Sequence, residues 1–152
     1  MSFTDVMEKE QICLMEGALG ERLKREYHLT FDEHVDMAGL VYSEKGRAAL
    51  GSLWHEYARI AARYALPFLA TTPTRRTDRK RVEASVFDAA LIKDNVDFLR
   101  KIQGETSQEM YIGGLLGCHG DAYTGADALD TEDAKTFHSW EVGLLHDQLC
   151  PP

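Results

Sequence analysis

Long apolar runs are missing from this sequence. None approaches the roughly 20 residues that a helix needs to cross a bilayer, and 28% of its 152 residues are charged, so neither a helical membrane protein nor a membrane partner is expected. A secretory leader is missing too: Asp5, Glu8 and Glu10 precede the first apolar run, the reverse of the cationic start of such leaders. A cytoplasmic protein is expected. Basic charge is short, with 17 Lys and Arg against 25 Asp and Glu and a formal net charge of −8. Such a chain repels nucleic acid on average. Cysteine is scarce: Cys13, Cys118 and Cys150 are odd in number and far apart, with no CxxC pair and no disulfide framework. His28, His34, His55, His138 and His146 show no metal-ligand spacing. Low-complexity segments and linkers are lacking, so residues 1–152 read as one domain with room for a core.

What the sequence does have is a rhythm. Three times a short apolar run ends in small, hydroxyl or acidic residues and a long amphipathic stretch follows. The runs are Ile12 to Gly17, Pro67 to Thr72 and Met110 to Gly117. This is the pattern of βα units in a parallel sheet. Strands are predicted at about 11–16, 67–72 and 110–116, in the order 1-2-3, because parallel crossovers are right-handed. Gly17 and Gly20 are read as allowing the tight turn after strand one.

A short helix is predicted at 19–27 and an irregular stretch at 28–43. A long helix follows at 44–65, with Leu50, Leu53, Trp54, Tyr57, Ala58, Ala61 and Tyr64 on its apolar face. A second long helix is predicted at 79–103, with a stripe of Val82, Val86, Ala89, Ile92, Val96 and Leu99 and Gly104 as its cap. The last begins near Asp130, an N-cap residue, and buries Ala134, Phe137, Trp140 and Leu144. This is how a (β/α)8 barrel starts. A complete barrel takes about 250 residues. The chain supplies about three of eight units before Pro151 and Pro152, and is expected to be a truncated, partial barrel with unpaired sheet edges.

In such folds ligands bind beyond the carboxyl ends of the strands. After strand one stand Glu16 and Gly17; after strand two, Thr71 and Thr72; after strand three, Gly117, Cys118, His119, Gly120 and Asp121. A carboxylate, hydroxyls and glycine-exposed backbone suit a small amino acid, whose ammonium group the carboxylate would hold. His119 reads either as an acid–base group or as loop packing, and a Cys118–His119–Asp121 nucleophile arrangement is a remote option, since sequence neighbours rarely form one.

The same three segments resemble the homocysteine S-methyltransferase family. Leu14 to Gly20 is similar to that family's first strand, Ala70 to Thr74 to its second, and Ile112 to Gly125, with its Gly-Asp-Ala-Tyr-Thr-Gly run, to its third strand and loop. The resemblance spans about residues 11–146 but only the first half of the family's length. It implies a (β/α)8 barrel in which zinc binds the homocysteine sulfur as thiolate, which then takes a methyl group to give methionine. It implies substrate binding by Glu16, Gly17, Thr71 and Thr72, with Glu16 in the place of a usual aspartate. The departures are specific. The family's three zinc-ligand cysteines lie in later strands, and Cys13, Cys118 and Cys150 do not match them; Pro73 replaces an asparagine. Zinc is thus expected for the full-length family and not for this chain, no catalytic residue is assigned, and the isolated chain is expected to be inactive. A second reading is a non-catalytic half-barrel that forms homo-oligomers through its sheet edges. A third is an open-sheet protein that binds phosphate at the basic run Arg75 to Arg81.

Overall fold

Pro67 has no N–H to give, yet its carbonyl accepts from the Leu14 N–H at 3.0 Å and so begins the pairing of a parallel sheet. A computed structural model of the chain describes residues 3–9 and 12–150. Its strands are β1 (Leu14–Met15), β2 (Phe68–Thr71) and β3 (Met110–Gly113), all parallel, in the order β1-β2-β3. Leu14 is opposite Phe68, and Phe68 is opposite Met110. The helices are α1 (Phe3–Lys9), α2 (Leu19–Arg25), α3 (Glu44–Arg63), α4 (Arg79–Ala84), α5 (Ala90–Glu105) and α6 (Thr131–Leu149), with a 3-10 helix at Met37–Tyr42. The chain is α/β with a small three-stranded parallel sheet.

The chain divides into two compact units. The first takes Met1–Thr30, Leu40–Thr71 and Asp97–Gly113 and contains the sheet. Helix α3 is its principal cover. Ser43 caps the helix by accepting from the Gly46 N–H at 3.0 Å. A side chain at Gly46 would meet the Leu40 carbonyl at 2.2 Å, so glycine is required there. Leu50, Leu53, Trp54, Ala58 and Ala61 are buried along one stripe. Each large side chain contributes roughly 1.5–3 kcal/mol of burial. The helix ends where Ala65 turns left-handed and the Leu66 N–H reaches back to the Ala61 carbonyl. Tyr64, predicted on the apolar face, is the first residue past the helix and is exposed. Phe68 and Ala70 of β2 are fully buried.

The second unit takes Phe31–Gly39, Thr72–Val96 and Gly114–Pro152. One cluster joins Val35, Ala38, Val82 and Leu91 to Phe87 and Trp140; another joins Ile92, Val96 and Leu145 to Trp140, Leu144 and Leu149. Asp36 holds Arg75 through two bonds, at 2.9 and 2.7 Å. The buried Asn95 amide bridges the Ala38 and Leu91 carbonyls at 3.0 and 2.8 Å.

Several expectations are corrected. The helix predicted at 79–103 is two helices. Ser85 is extended, its hydroxyl donates to the Val82 carbonyl and accepts from the Phe87 N–H, and Asp88 then caps α5 through the Ala90 N–H. Serine and aspartate compete for backbone groups in this way and stop a helix. Val86 falls in the break and is 89% exposed, and Ala89 is exposed as well. Gly104 lies inside α5 rather than capping it. The strands are shorter than predicted; Gln11, placed in strand one, lies outside the described residues. On α6, Asp130 caps as expected, accepting from the Glu132 and Asp133 N–H groups. Its fully buried residues are Glu141 and Leu145, while Ala134, Phe137, Trp140 and Leu144 are half-buried.

Candidate functional site

The alternation of β2 decides where Glu16 goes. The Phe68 N–H points to β3 and donates to the Glu109 carbonyl at 3.0 Å. Residues two apart share a direction, so the N–H groups of Leu69 and Thr71 point to β1. But β1 stops at Met15. The Glu16 side chain takes its place: its carboxylate accepts from the Thr71 N–H at 3.0 and 3.2 Å and from the Thr71 hydroxyl. Glu16 is half-buried, and that loss of water pushes its carboxyl pKa up, against the pull of the Thr71 donors. The result is a carboxylate fixed at the carboxyl ends of two parallel strands and still partly open. A carboxylate has about four lone-pair directions, so Thr71 leaves room for a further donor.

Gly17 is exposed and its carbonyl accepts from the Tyr57 hydroxyl at 2.5 Å. The left-handed residue of this turn is Ala18, φ 52°, and not a glycine. A side chain at Gly17 would meet nothing within 4 Å. The expected steric role of Gly17 is therefore corrected: it presents a carbonyl at an open corner. Gly20 is part of α2.

Thr72 opens the second unit and is fully buried. Its hydroxyl accepts from the Leu115 N–H at 3.1 Å and lies 2.6 Å from the Thr74 hydroxyl, which donates to the Leu115 carbonyl at 2.8 Å. Since the Thr74 proton is on that carbonyl, Thr72 donates to Thr74, and the ring of bonds is closed. The structure thus brings Glu16 and Thr71 together, while the Thr72 hydroxyl is fully engaged in holding the chain at Leu115.

The loop after β3 forms no nucleophile arrangement. The His119 Nδ1 faces the Asp127 carbonyl at 2.9 Å, the Asp121 carboxylate accepts from the Tyr123 N–H at 2.8 Å, and Cys118 is a free, exposed thiol. The His119 ring instead packs edge-on against Phe137, centroids 4.9 Å apart. In the basic run, Arg75 pairs with Asp36, Arg79 with Glu83 and Arg81 with Asp78.

The three cysteines do not form a thiolate set for zinc. All three cysteines are free; Cys13 directs its sulfur to the Pro67 carbonyl, 3.6 Å away, and burial raises its thiol pKa, which works against a thiolate ligand. Among the described residues no three His, Cys, Asp or Glu side chains stand where they could hold a metal. Among them, too, no helix is long and apolar enough to cross a membrane.

Sequence reasoning missed a second acid. Glu141 of α6 is 2% exposed and its carboxyl oxygen lies 2.6 Å from the Thr77 hydroxyl. Burial, with the Asp78 charge adding to it, pushes its pKa up to about 7. A glutamate one step from Trp140 on an amphipathic helix carries no signal of burial, because the partner that allows it lies 64 residues away.

Compared with protein-family models, curated proteins and solved structures, the chain matches none.

Proposed function

We propose that the Glu16 corner binds the ammonium group of a small amino acid, and that the chain is the opening part of a homocysteine S-methyltransferase-like (β/α)8 barrel. The observation that carries this reading is the clamp itself: Thr71 holds the Glu16 carboxylate at the strand ends with two donors while the carboxylate remains partly open. An incoming ammonium supplies the counter-charge that burial leaves wanting. The Gly17 carbonyl and the Thr71 hydroxyl border the same corner of the first unit. In the family reaction the homocysteine sulfur accepts a methyl group. This chain contributes binding of the amino-acid end; it holds no thiolate set for zinc, and no methyl-transfer step is derived from it.

Titration calorimetry with L-homocysteine and with 4-mercaptobutyrate, which lacks the amino group, tests the reading. Homocysteine should bind and mercaptobutyrate should not, and Glu16→Gln should weaken homocysteine at least tenfold. Equal binding of the two ligands, or none of either, overturns it. Affinity should also fall as pH drops through the raised Glu16 pKa, because the protonated acid has no charge to offer.

A second reading has its own support. Among the described residues β1 and β3 have no strand on their outer edges, and Met15 of β1 and Ile12 just before it are 53% and 57% exposed. Open parallel edges favour pairing with another copy. Sedimentation velocity that shows a dimer at micromolar concentration would support this self-association; a monomer there would exclude it.

A further inference from the structure

The second unit has a groove lined by aromatic, basic and acidic side chains. Two neighbouring cavities, of about 500 and 320 Å³, share Lys80, His119 and Phe137 in their linings. Both volumes lie in the range of small-molecule sites. The aromatic part is fixed. Phe137 is half-buried, with His119 and His138 each edge-on to it at 4.9 Å. Trp140 lines the far end and is packed into both apolar clusters of this unit, so it cannot swing away. The loop of Cys118, His119 and Gly120 lines the larger cavity; Gly120 is left-handed, φ 69°, and a side chain there would meet the Ala126 carbonyl at 2.5 Å.

The charges in the groove are unequal in availability. Arg81 is taken by Asp78 (3.2 Å) and Arg79 by Glu83 (2.9 Å). Lys80 lines both cavities and makes no hydrogen bond or ion pair among the described residues. His119 gives its Nδ1 proton to the Asp127 carbonyl, which can only accept, so Nε2 keeps a lone pair in the neutral ring. The Asp127 carboxylate also lines the larger cavity and opposes an anion there. We infer that this groove binds a nucleoside monophosphate or a molecule of that chemistry, with the ring against Phe137 and Trp140 and the phosphate on Lys80. Every base has a π-face that can stack on an aromatic ring, and a cation beside that ring meets the phosphate charge.

The test uses the full chain and three probes: AMP, adenosine and inorganic phosphate. AMP should bind at least tenfold more tightly than either part alone, and amide NMR shifts should centre on residues 118–120 and 136–140. Lys80→Gln should weaken AMP at least fivefold, Asp127→Asn should tighten it, and Arg76→Gln, an exposed basic position that lines neither cavity, should leave it unchanged. Phe137→Leu should weaken AMP and adenosine but not phosphate; should that variant fail to fold, the exposed Lys80 and Asp127 variants still decide. Phosphate binding as tightly as AMP, a Lys80→Gln variant equal to wild type, or shifts confined elsewhere would overturn the proposal. None of these outcomes bears on homocysteine binding at Glu16.

Discussion

Two glutamates in this chain are each held by a threonine, one in each unit, and the settings differ. Glu16 receives a backbone N–H and a hydroxyl from Thr71 at the end of a strand and is partly open. Glu141 lies beside the Thr77 hydroxyl and is closed off from water. Burial raises both pKa values, that of Glu141 to about 7. The same side-chain pair is thus an open corner in one unit and a closed strut in the other. The Thr77 hydroxyl adds a detail. It lies 2.8 Å from the Thr74 carbonyl and 2.6 Å from the Glu141 carboxyl. One proton cannot serve both, so the arrangement is complete when Glu141 itself carries a proton and donates it.

The contrast can be broken from either side. The largest effect is expected from Thr77→Val at pH 8, where an ionised Glu141 is left buried without a donor; urea unfolding should show a loss of about 3 kcal/mol. Next comes Glu141→Gln. An acid whose folded pKa is raised from 4.5 to about 7 is released first by the unfolded chain, so stability falls as pH rises between those values and levels off above them. Glutamine removes that slope and should be more stable than wild type at pH 8 by on the order of 2 kcal/mol, with little difference near pH 4.5. Thr71→Val should cost only about 1 kcal/mol, because the Thr71 N–H still reaches Glu16. The smallest change belongs to Glu16→Gln. Its amide oxygen still accepts the Thr71 N–H, so stability should stay within about 0.5 kcal/mol while the proposed homocysteine binding should weaken at least tenfold. A pH-independent stability for wild type, or a Glu16→Gln variant as damaged as Thr77→Val, would erase the distinction between corner and strut.

The parallel sheet was legible because its evidence is local: three apolar runs with crossovers between them give strand order β1-β2-β3 directly. Helix α3 and the Asp130 cap were legible for the same reason. What escaped was decided by long-range partners or by single polar residues. Ser85 and Asp88 break a helix that the apolar period alone would continue. The Thr72 hydroxyl bonds to Leu115, 43 residues away, a partner the sequence does not reveal. Glu16 and Thr71 were paired in the expectation as neighbours of a pocket, and the structure joins them through a hydrogen bond that exists because β1 is only two residues long. Its position was readable from the motif; its partner was not. The groove at Lys80 was foreshadowed only by a basic run, whose members the sequence could not sort into paired and unpaired.

The threonine ring at Leu115 carries one more consequence. Residue 115 lies two positions past the end of β3, in chain with no regular structure, yet its N–H and C=O are both bonded to side chains of residues 72 and 74. Its amide should exchange with deuterated water as slowly as those of the neighbouring strands, and only when the knot around Thr72 unties. An irregular stretch would then be as reluctant to open as a strand, and the protection should vanish on replacing one hydroxyl.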